Sequence, residues 1–300
     1  MLQNSLLIYL LLAANAVPPL VSPTPTPSPA PAAEFPVELD WSRAPVWDDG
    51  LAEVAHYDSR RTVYGTERSF ESILITVKED FDGALGVKAD PPLEGRSIVT
   101  VLKMNLISRI QTDDYPYDYM FSVFVRRDDP RVLVKLAGSS QEWCGTTFKE
   151  VVTWEGPARL RFHSYFDGQA DGEHPLDLAG GALLEEQLPL VLRAAALAPA
   201  APHRFALFDS LITNTARQPR SREMVASLAG EERLVTPAGE FSTRRIEVRP
   251  AVEGAGPAFT YWIDQGPGRA LVKMVASDGR SHSLKSVSRR NYWARARPAP

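Results

Sequence analysis

The sequence predicts a mainly β protein in which long antiparallel strands form a curved sheet or partial barrel, with one short kinked helical segment. Three observations predict this class. Apolar residues alternate at every second position through most of the chain, turn sequences separate these runs, and helical spacing is confined to one stretch. Because several runs exceed about ten residues, and long strands twist and coil, a curved sheet is favoured over a flat sandwich.

The alternating runs succeed one another along the chain. Each places its apolar residues on one face of a strand and leaves the other face polar. The apolar faces are, in order, Ile73, Ile75 and Val77; Ile98, Leu102, Met104 and Leu106; Phe121, Val123 and Val125; Val132, Val134 and Leu136; Leu160, Phe162 and Phe166; and Phe259, Tyr261 and Ile263. Turn sequences containing glycine separate them, at residues 64–65, 81–83, 155–157, 238–239 and 278–279.

The stretch 180–197 departs from this pattern. Its apolar residues recur at helical spacing, at Leu184, Leu188, Val191 and Ala195. Pro189 should interrupt a helix here, because a proline within a helix removes a backbone hydrogen bond. We therefore expect two short helices or one kinked helix. The segment either plugs the open side of the curved sheet or forms a lid over a pocket, and its apolar character favours the plug.

The first residues indicate export. An apolar run at residues 6–14 has the length of a signal-peptide core, and Ala14, Asn15 and Ala16 give the small-x-small pattern of a cleavage site. The run is shorter than the roughly 20 residues that span a bilayer. We expect a signal peptide over residues 1–16 and a location in the periplasm or at the cell surface, with membrane contact only through an uncleaved signal.

The signal is followed by a Pro-rich linker over residues 17–36. Proline at alternate positions removes amide donors, so this linker should extend as a polyproline II stalk, the alternative being a ligand for a proline-recognition module. Residues 37–297 then form a single β-rich domain, or two halves, 37–178 and 203–297, joined by the helical segment 180–197.

Composition limits the function classes. The formal charge of −4 and the pI near 5.8 give no electrostatic footprint for nucleic acid, so we expect no nucleic-acid partner. The sequence has no serine nucleophile elbow, phosphate-binding glycine loop, paired-histidine zinc motif or CxxC motif. This lowers the enzyme hypothesis, and we expect no cofactor.

The single cysteine, Cys144, has two interpretations. As a nucleophile it would need a base and an orienting group, and His163 and Asp167 are the nearby candidates. As a buried side chain it would act as a small hydrophobe packed against its neighbour Trp143. The packing interpretation is favoured, because the spacing of these residues gives the catalytic interpretation no support.

A short acidic segment resembles the start of a calcium loop. Asp167, Gln169 and Asp171 are followed by Gly172, as in the first half of an EF-hand. The resemblance ends at Leu178, where the bidentate glutamate should stand. A solvated hairpin loop is therefore favoured over a calcium site, and we expect no metal.

A tyrosine-rich stretch is the third candidate. Tyr115, Tyr117 and Tyr119 alternate with carboxylates in the sequence TDDYPYDYMF. Together with Trp143, these tyrosines are the candidate ligand-binding residues, because aromatic rings stack on ligands while their hydroxyls form hydrogen bonds. The alternative is an edge segment with half-buried tyrosines, in which Pro116 blocks further strand pairing.

Several stretches resemble known families. VYGTERSFESILITVKEDF at 63–81, VLKMN at 101–105, YPYDYMFSVF at 115–124 and SSQEWCGTTF at 139–148 resemble exported bacterial proteins of unknown function, some of them labelled septum formation inhibitors. That label concerns a cytoplasmic nucleotide hydrolase, and the signal peptide argues against it. TPAGEFSTRRIEV at 236–248 and YWIDQGPGRALVKM at 261–274 are similar to an envelope domain of unknown function. The resemblance implies a curved sheet reminiscent of lipoprotein carriers and supplies no catalytic residues.

Three function hypotheses follow. The first is a non-catalytic envelope protein that binds a lipid, another apolar small molecule or an envelope protein in its curved sheet. It predicts an apolar cavity beneath residues 180–197. The second is a hydrolase or transferase using Cys144 and His163, which predicts an exposed Cys144 near His163. The third is a purely structural surface domain on a Pro-rich stalk.

Overall fold

The computed structural model describes residues 34–199 and 201–293. The predicted signal peptide at 1–16 and residues 17–33 of the predicted linker lie outside the described residues, as does the stretch from 294 onward. In the described part the chain is mainly β. Neither of the two α-helices among these residues is long and apolar enough to cross a membrane.

The described residues form sixteen strands, numbered in chain order. They are β1 (Ala52–Val63), β2 (Thr66–Asp82), β3 (Val87–Lys88), β4 (Ile98–Gln111), β5 (Pro116–Arg126), β6 (Leu133–Glu142), β7 (Gly145–Val152), β8 (Arg159–Ser164), β9 (Ala170–Pro175), β10 (Leu183–Leu184), β11 (His203–Phe208), β12 (Ser221–Thr236), β13 (Gly239–Pro250), β14 (Phe259–Asp264), β15 (Leu271–Ala276) and β16 (Ser281–Arg290).

All of these strands belong to one sheet. Its order is β10-β11-β12-β13-β14-β15-β16-β1-β2-β4-β5-β6-β7-β8-β9, with β3 added beside β2. Strands from the two parts of the chain meet where β1 pairs with β16, and every pairing except that of β10 with β11 is antiparallel. The order ends at β10 and at β9, so the sheet does not close into a barrel.

The sheet curves around one core. Along β5 every second side chain is buried, as the alternating pattern requires, and the inward face of this strand joins a single large cluster with residues of β1, β8 and β11 to β16. The buried Tyr57 hydroxyl on β1 donates at 2.8 Å to the carbonyl of Leu271 on β15, which lies two strands away in the sheet. The prediction of a mainly β chain with long antiparallel strands in a curved sheet is confirmed.

The two ends of the sheet have different coverings. At one end lie the turns that join β1 to β2, β4 to β5, β6 to β7 and β8 to β9, which we call the hairpin end. At the opposite end lies helix α1 (Asp40–Arg43), followed by a 3₁₀ turn at Pro45–Asp48. We call it the tryptophan end, because Trp41 and Trp47 from these two elements are buried there.

The segment 180–197 is more irregular than predicted. It contains the short strand β10, a 3₁₀ turn at Glu185–Gln187 and helix α2 (Leu188–Val191). Pro189 does not interrupt this helix, because it lies in the first turn, where no intrahelical N–H bond is lost. Residues from Leu188 to Ala195 are buried in the core with the single exception of Pro189. This burial agrees with a plug rather than a lid.

Candidate functional site

The tyrosine-rich stretch forms a continuous aromatic row on the concave face. Tyr117 and Tyr119 lie two residues apart on β5, so their side chains share a face, and Tyr115 continues that face just before the strand begins. The ring centroids of Tyr117 and Tyr119 are 6.2 Å apart and nearly parallel, and those of Tyr115 and Tyr117 are 5.7 Å apart. Trp143 extends the row by stacking on Tyr115 at 5.6 Å. The structure therefore brings all four predicted ligand-binding residues together.

The β4–β5 turn positions the first ring of the row. Thr112 Oγ1 donates to the carbonyl of Tyr115 at 2.6 Å, and the backbone N–H of Thr112 donates to the same carbonyl at 3.1 Å. Pro116 opens the strand, a position at which its missing N–H costs no ladder bond. Tyr115 is held half-exposed as a result, with one side of its ring against Tyr117 and the other against Trp143.

Exposed aromatic side chains surround the outer end of this row. Tyr64, Trp143 and Tyr165 have relative exposures of 71%, 77% and 78%, and each lies in or beside a turn at the hairpin end. The Tyr64 hydroxyl forms a hydrogen bond with that of Tyr117. Tyr165 packs over the backbone of Gly145, where a Cβ atom would stand 2.6 Å from the ring. We call Tyr64, Tyr115, Trp143 and Tyr165 the aromatic rim.

The tight turn between β1 and β2 places Tyr64 in the rim. It lies at φ +53° and is followed by Gly65 at φ +74°, so both central residues of this two-residue hairpin turn have positive φ. Such turns match the twist of the flanking strands, but they favour asparagine or glycine at the first position. A tyrosine is held here in a backbone conformation that bulky residues seldom adopt.

The tyrosine hydroxyls of the row remain neutral at physiological pH. The hydrogen bond with Cys144 raises the pKa of Tyr115, and burial raises the pKa of Tyr117 and of Tyr119. The Arg61 guanidinium lies over the Tyr119 ring, 5.3 Å from its centroid. The row thus presents apolar ring surface with neutral hydroxyls and no phenolate.

Cys144 is exposed, so the prediction that it packs beneath Trp143 is wrong. The two residues form the turn between β6 and β7, where Glu142 pairs with Gly145. In so short a turn neither side chain reaches the core, and the indole stacks on Tyr115 instead of covering the thiol. Cys144 Sγ lies 3.5 Å from the Tyr115 hydroxyl oxygen.

The three candidate catalytic residues have separate surroundings. His163 Nδ1 lies 3.0 Å from Asp171 Oδ1, and its ring stacks on Phe148. Asp167 lies in the exposed turn between β8 and β9. Within residues 34–199 and 201–293, no hydrogen bond or ion pair connects Cys144 with His163 or with Asp167. The arrangement gives the thiol no base in contact.

The candidate calcium residues are also separated. Gln169 Oε1 accepts hydrogen bonds from the Ser164 hydroxyl at 3.1 Å and from the backbone N–H of Ala216 at 2.6 Å. Asp171 faces His163, while Asp167 stays at the turn. Among the described residues no group of three or more histidine, cysteine, aspartate or glutamate side chains is arranged to hold a metal ion.

A segment that sequence reasoning missed covers the interior. Residues 209–216, which we call the strap, follow β11 and cross the concave face. Side chains from other elements form hydrogen bonds with its backbone. Arg61 donates to the carbonyl of Ile212, Lys149 to those of Leu211 and Thr213, and Thr147 to that of Asn214. Glu186 accepts from the backbone N–H of Leu211. Burial lowers the pKa of Lys149 to about 8 and raises that of Glu186. No alternation or motif in the strap's own sequence signals this role.

The interior beneath the segment 180–197 is nearly filled. A cavity of about 70 Å³ lies there, bordered by Glu186, Pro189, Met104, Phe121 and Met274. Ligand pockets for drug-sized molecules measure roughly 300–1,000 Å³. The binding hypothesis predicted an apolar cavity at this place, and the cavity present is too small for a lipid chain.

The chain is similar to a known protein in structure but not in sequence. No family model matches the chain, and no curated protein matches it. A solved structure of the beta-barrel-like protein of domain of unknown function DUF1849 from Brucella abortus is similar, with 8% sequence identity and a TM-score of 0.48. The match covers 80% of this chain and 98% of that chain. The resemblance of residues 139–148 to exported proteins stays a prediction.

Proposed function

We propose that this protein is a non-catalytic, exported envelope protein that binds a protein partner through the aromatic rim. One observation carries the proposal: Tyr64, Trp143 and Tyr165 are each more than 70% exposed at one end of the sheet, and the first two contact the stacked row at Tyr117 and Tyr115. Exposed aromatic groups of this size mark interaction sites, and tryptophan and tyrosine are enriched where protein interfaces gain most of their free energy.

The rim is a better binding surface than the interior. The strap is held by side chains from β1, β7 and the 3₁₀ turn at Glu185–Gln187, and the cavity behind it measures about 70 Å³. An enclosed lipid would have to displace these buried hydrogen bonds, each of which costs about 1–3 kcal/mol when left unmade. A partner at the rim displaces only water from aromatic surface.

The chemistry of the rim favours a protein over a charged ligand. The rim consists of three tyrosines and one tryptophan, and two side-chain pairs lie nearby, Arg68 with Asp113 at 2.7 Å and His163 with Asp171. Such a surface matches an apolar patch edged by polar groups, which is the usual composition of a protein interface. The separate surroundings of Cys144 and His163 support a non-catalytic role.

An apolar small molecule is the second candidate. The observation that favours it is the continuity of the row, because Tyr115, Tyr117 and Tyr119 lead from the rim toward Phe121, which borders the interior cavity. A slender apolar ligand would lie along these rings. Native mass spectrometry of the unreduced protein separates the two candidates, since a small ligand adds a discrete mass to the purified chain.

The single cysteine makes the rim directly testable. A photo-crosslinking maleimide attached to Cys144 reports on the rim alone, because the sequence contains no other cysteine. On envelope fractions we expect a cross-linked product of discrete mass, which disappears when Trp143→Ala is added.

The matched control moves the label to a remote exposed site. In the variant Cys144→Ser with Val235→Cys, the probe lies beside the β12–β13 turn, where Val235 is 82% exposed. This variant should give no such product. Identical products from both positions would show that the protein adheres without using the rim, and the proposal would fail.

A further inference from the structure

A groove on the outer face of the sheet is separate from the rim. It measures about 690 Å³ and lies over β11, β12 and β13. Arg204, Val225 and Arg249 are directly opposite one another on these three strands, so their side chains share one face. Val225 forms the buried floor, and the loop after β13 forms a wall, with Pro202 also lining the groove.

Within the described part of the chain, both guanidinium groups in this groove lack a partner. Among the described residues no hydrogen bond or ion pair engages Arg204 or Arg249. Neighbouring arginines on the same strands are paired, with Arg222 bridging Asp209 and Arg233 bridging Glu240 at 3.0 Å. Two unpaired cations two strand spacings apart, roughly 10 Å, repel each other and leave an anion favoured between them.

The other groups in the groove define the ligand further. Glu253 lines the same groove, so two arginines and one carboxylate leave a formal charge of +1. A ligand with one negative charge neutralises this +1 charge, whereas a ligand with two would leave the site negative. Val225 and Val252 supply apolar surface beside the cations, and the volume lies within the range of small-molecule sites. Guanidinium binds carboxylate through two parallel hydrogen bonds.

We infer that this groove binds a small organic carboxylate whose apolar chain packs on Val225 and Val252 while Arg204 and Arg249 hold its charged end. This site is independent of the aromatic rim. The carboxylate would lie on the outer face of the sheet, where neither the strap nor the core contacts it.

Octanoate is the probe, and calorimetric titration is the measurement. We expect octanoate to bind at least tenfold more tightly than octanol, which has the same chain length without the charge. Arg204→Gln and Arg249→Gln should each weaken octanoate binding about tenfold, the effect of losing a charged hydrogen-bonding group. Glu253→Gln should strengthen it, because a like charge leaves the groove.

Two controls make the result decisive. Arg233→Gln removes an exposed arginine from the same strand pair outside the groove and should leave octanoate binding unchanged. Inorganic phosphate should bind less tightly than octanoate. Equal affinity for octanoate and octanol, or full octanoate binding in both groove arginine variants, would overturn the inference. Because both arginines are at the surface, Arg204→Gln and Arg249→Gln should unfold at the same temperature as the wild type while binding octanoate more weakly.

Discussion

Tryptophans stand at both ends of this sheet, but in opposite environments. At the tryptophan end Trp41 and Trp47 are each 2% exposed, and both indole N–H groups donate to backbone carbonyls at 2.9 Å. At the hairpin end Trp143 is 77% exposed and stacks on the Tyr115 ring. The first pair closes the core. Trp143 is kept out of the core by its turn, which is why we propose the binding surface at the hairpin end.

The tryptophan end is also held by buried charge. The Arg193 guanidinium lies 4.6 Å from the Trp41 ring centroid and 5.5 Å from that of Trp47, and it binds both carboxylate oxygens of Glu53 at 2.7–2.8 Å. No comparable pair supports the aromatic rim within the described residues, where the ion pair of Arg68 with Asp113 is open to water. The comparison therefore predicts large stability effects at one end and small ones at the other.

Removing Arg193 should have the largest effect. Arg193→Ala leaves the Glu53 carboxylate buried without its partner, and we expect a loss of about 3–5 kcal/mol in the free energy of unfolding measured in urea. The double variant Glu53→Leu with Arg193→Met should recover much of this loss, because it leaves no unpaired charge. Arg233→Ala, an exposed paired arginine, should change the free energy by less than about 0.5 kcal/mol.

The buried Lys149 should give a pH dependence near the strap. Burial lowers its pKa to about 8 in the folded chain, below the value of roughly 10.4 in the unfolded chain. Between these two values the unfolded chain binds more protons, so the contribution of Lys149 to stability rises with pH, by about 2 kcal/mol from pH 8 to pH 10. Urea unfolding at both pH values should show this gain in the wild type and not in Lys149→Met. Parallel pH profiles would contradict the buried position of Lys149.

Two glycines sharpen the contrast between core and rim. A Cβ atom at Gly138 would stand 2.3 Å from the buried Phe121 ring and 2.7 Å from a backbone oxygen, whereas one at Gly145 meets the exposed Tyr165 ring at 2.6 Å. Gly138→Ala should therefore cost about 1–3 kcal/mol through overpacking. Gly145→Ala should cost less, because Tyr165 can turn away into water. Thermal unfolding of the two variants, compared directly, tests the difference.

Cys144 should show the smallest stability effect. Because its side chain is exposed, Cys144→Ser should change the free energy of unfolding by less than about 0.5 kcal/mol. In the folded wild type the thiol should react with a disulfide reagent without prior unfolding. Protection of the thiol until the protein unfolds would restore the buried interpretation that the sequence favoured.

Sequence reasoning succeeded where a local pattern determines structure. Period-two alternation located the strand from Ile98 onward and the inward face of β5, and the turn at Tyr64 and Gly65 was visible as a dipeptide. Tyr115, Tyr117 and Tyr119 lie in one row because residues two apart along a strand share a face.

The failures came from long-range contacts. Whether the Trp143 indole covers Cys144 depends on Tyr115, which lies 29 residues from Cys144 and stacks on that indole. The strap is held in place by the side chains of Arg61 and Lys149, each of which lies more than 60 residues in the sequence from the strap residues that it binds. Helical spacing of the apolar residues in 180–197 predicts two short helices or one kinked helix, but burial of nearly the whole segment in the core allows a more irregular structure there.

The most direct test of the binding surface is the affinity of the wild type, Trp143→Ala and Trp262→Ala for the neutral apolar dye N-phenyl-1-naphthylamine, measured by fluorescence titration. Trp262 lies on the outer face of β14 beside Lys273, so it controls for the loss of any tryptophan. If the aromatic rim is the binding surface, Trp143→Ala should weaken dye binding by about tenfold or more, while Trp262→Ala matches the wild type. Equal affinities of all three proteins would contradict the rim as the surface that binds apolar groups.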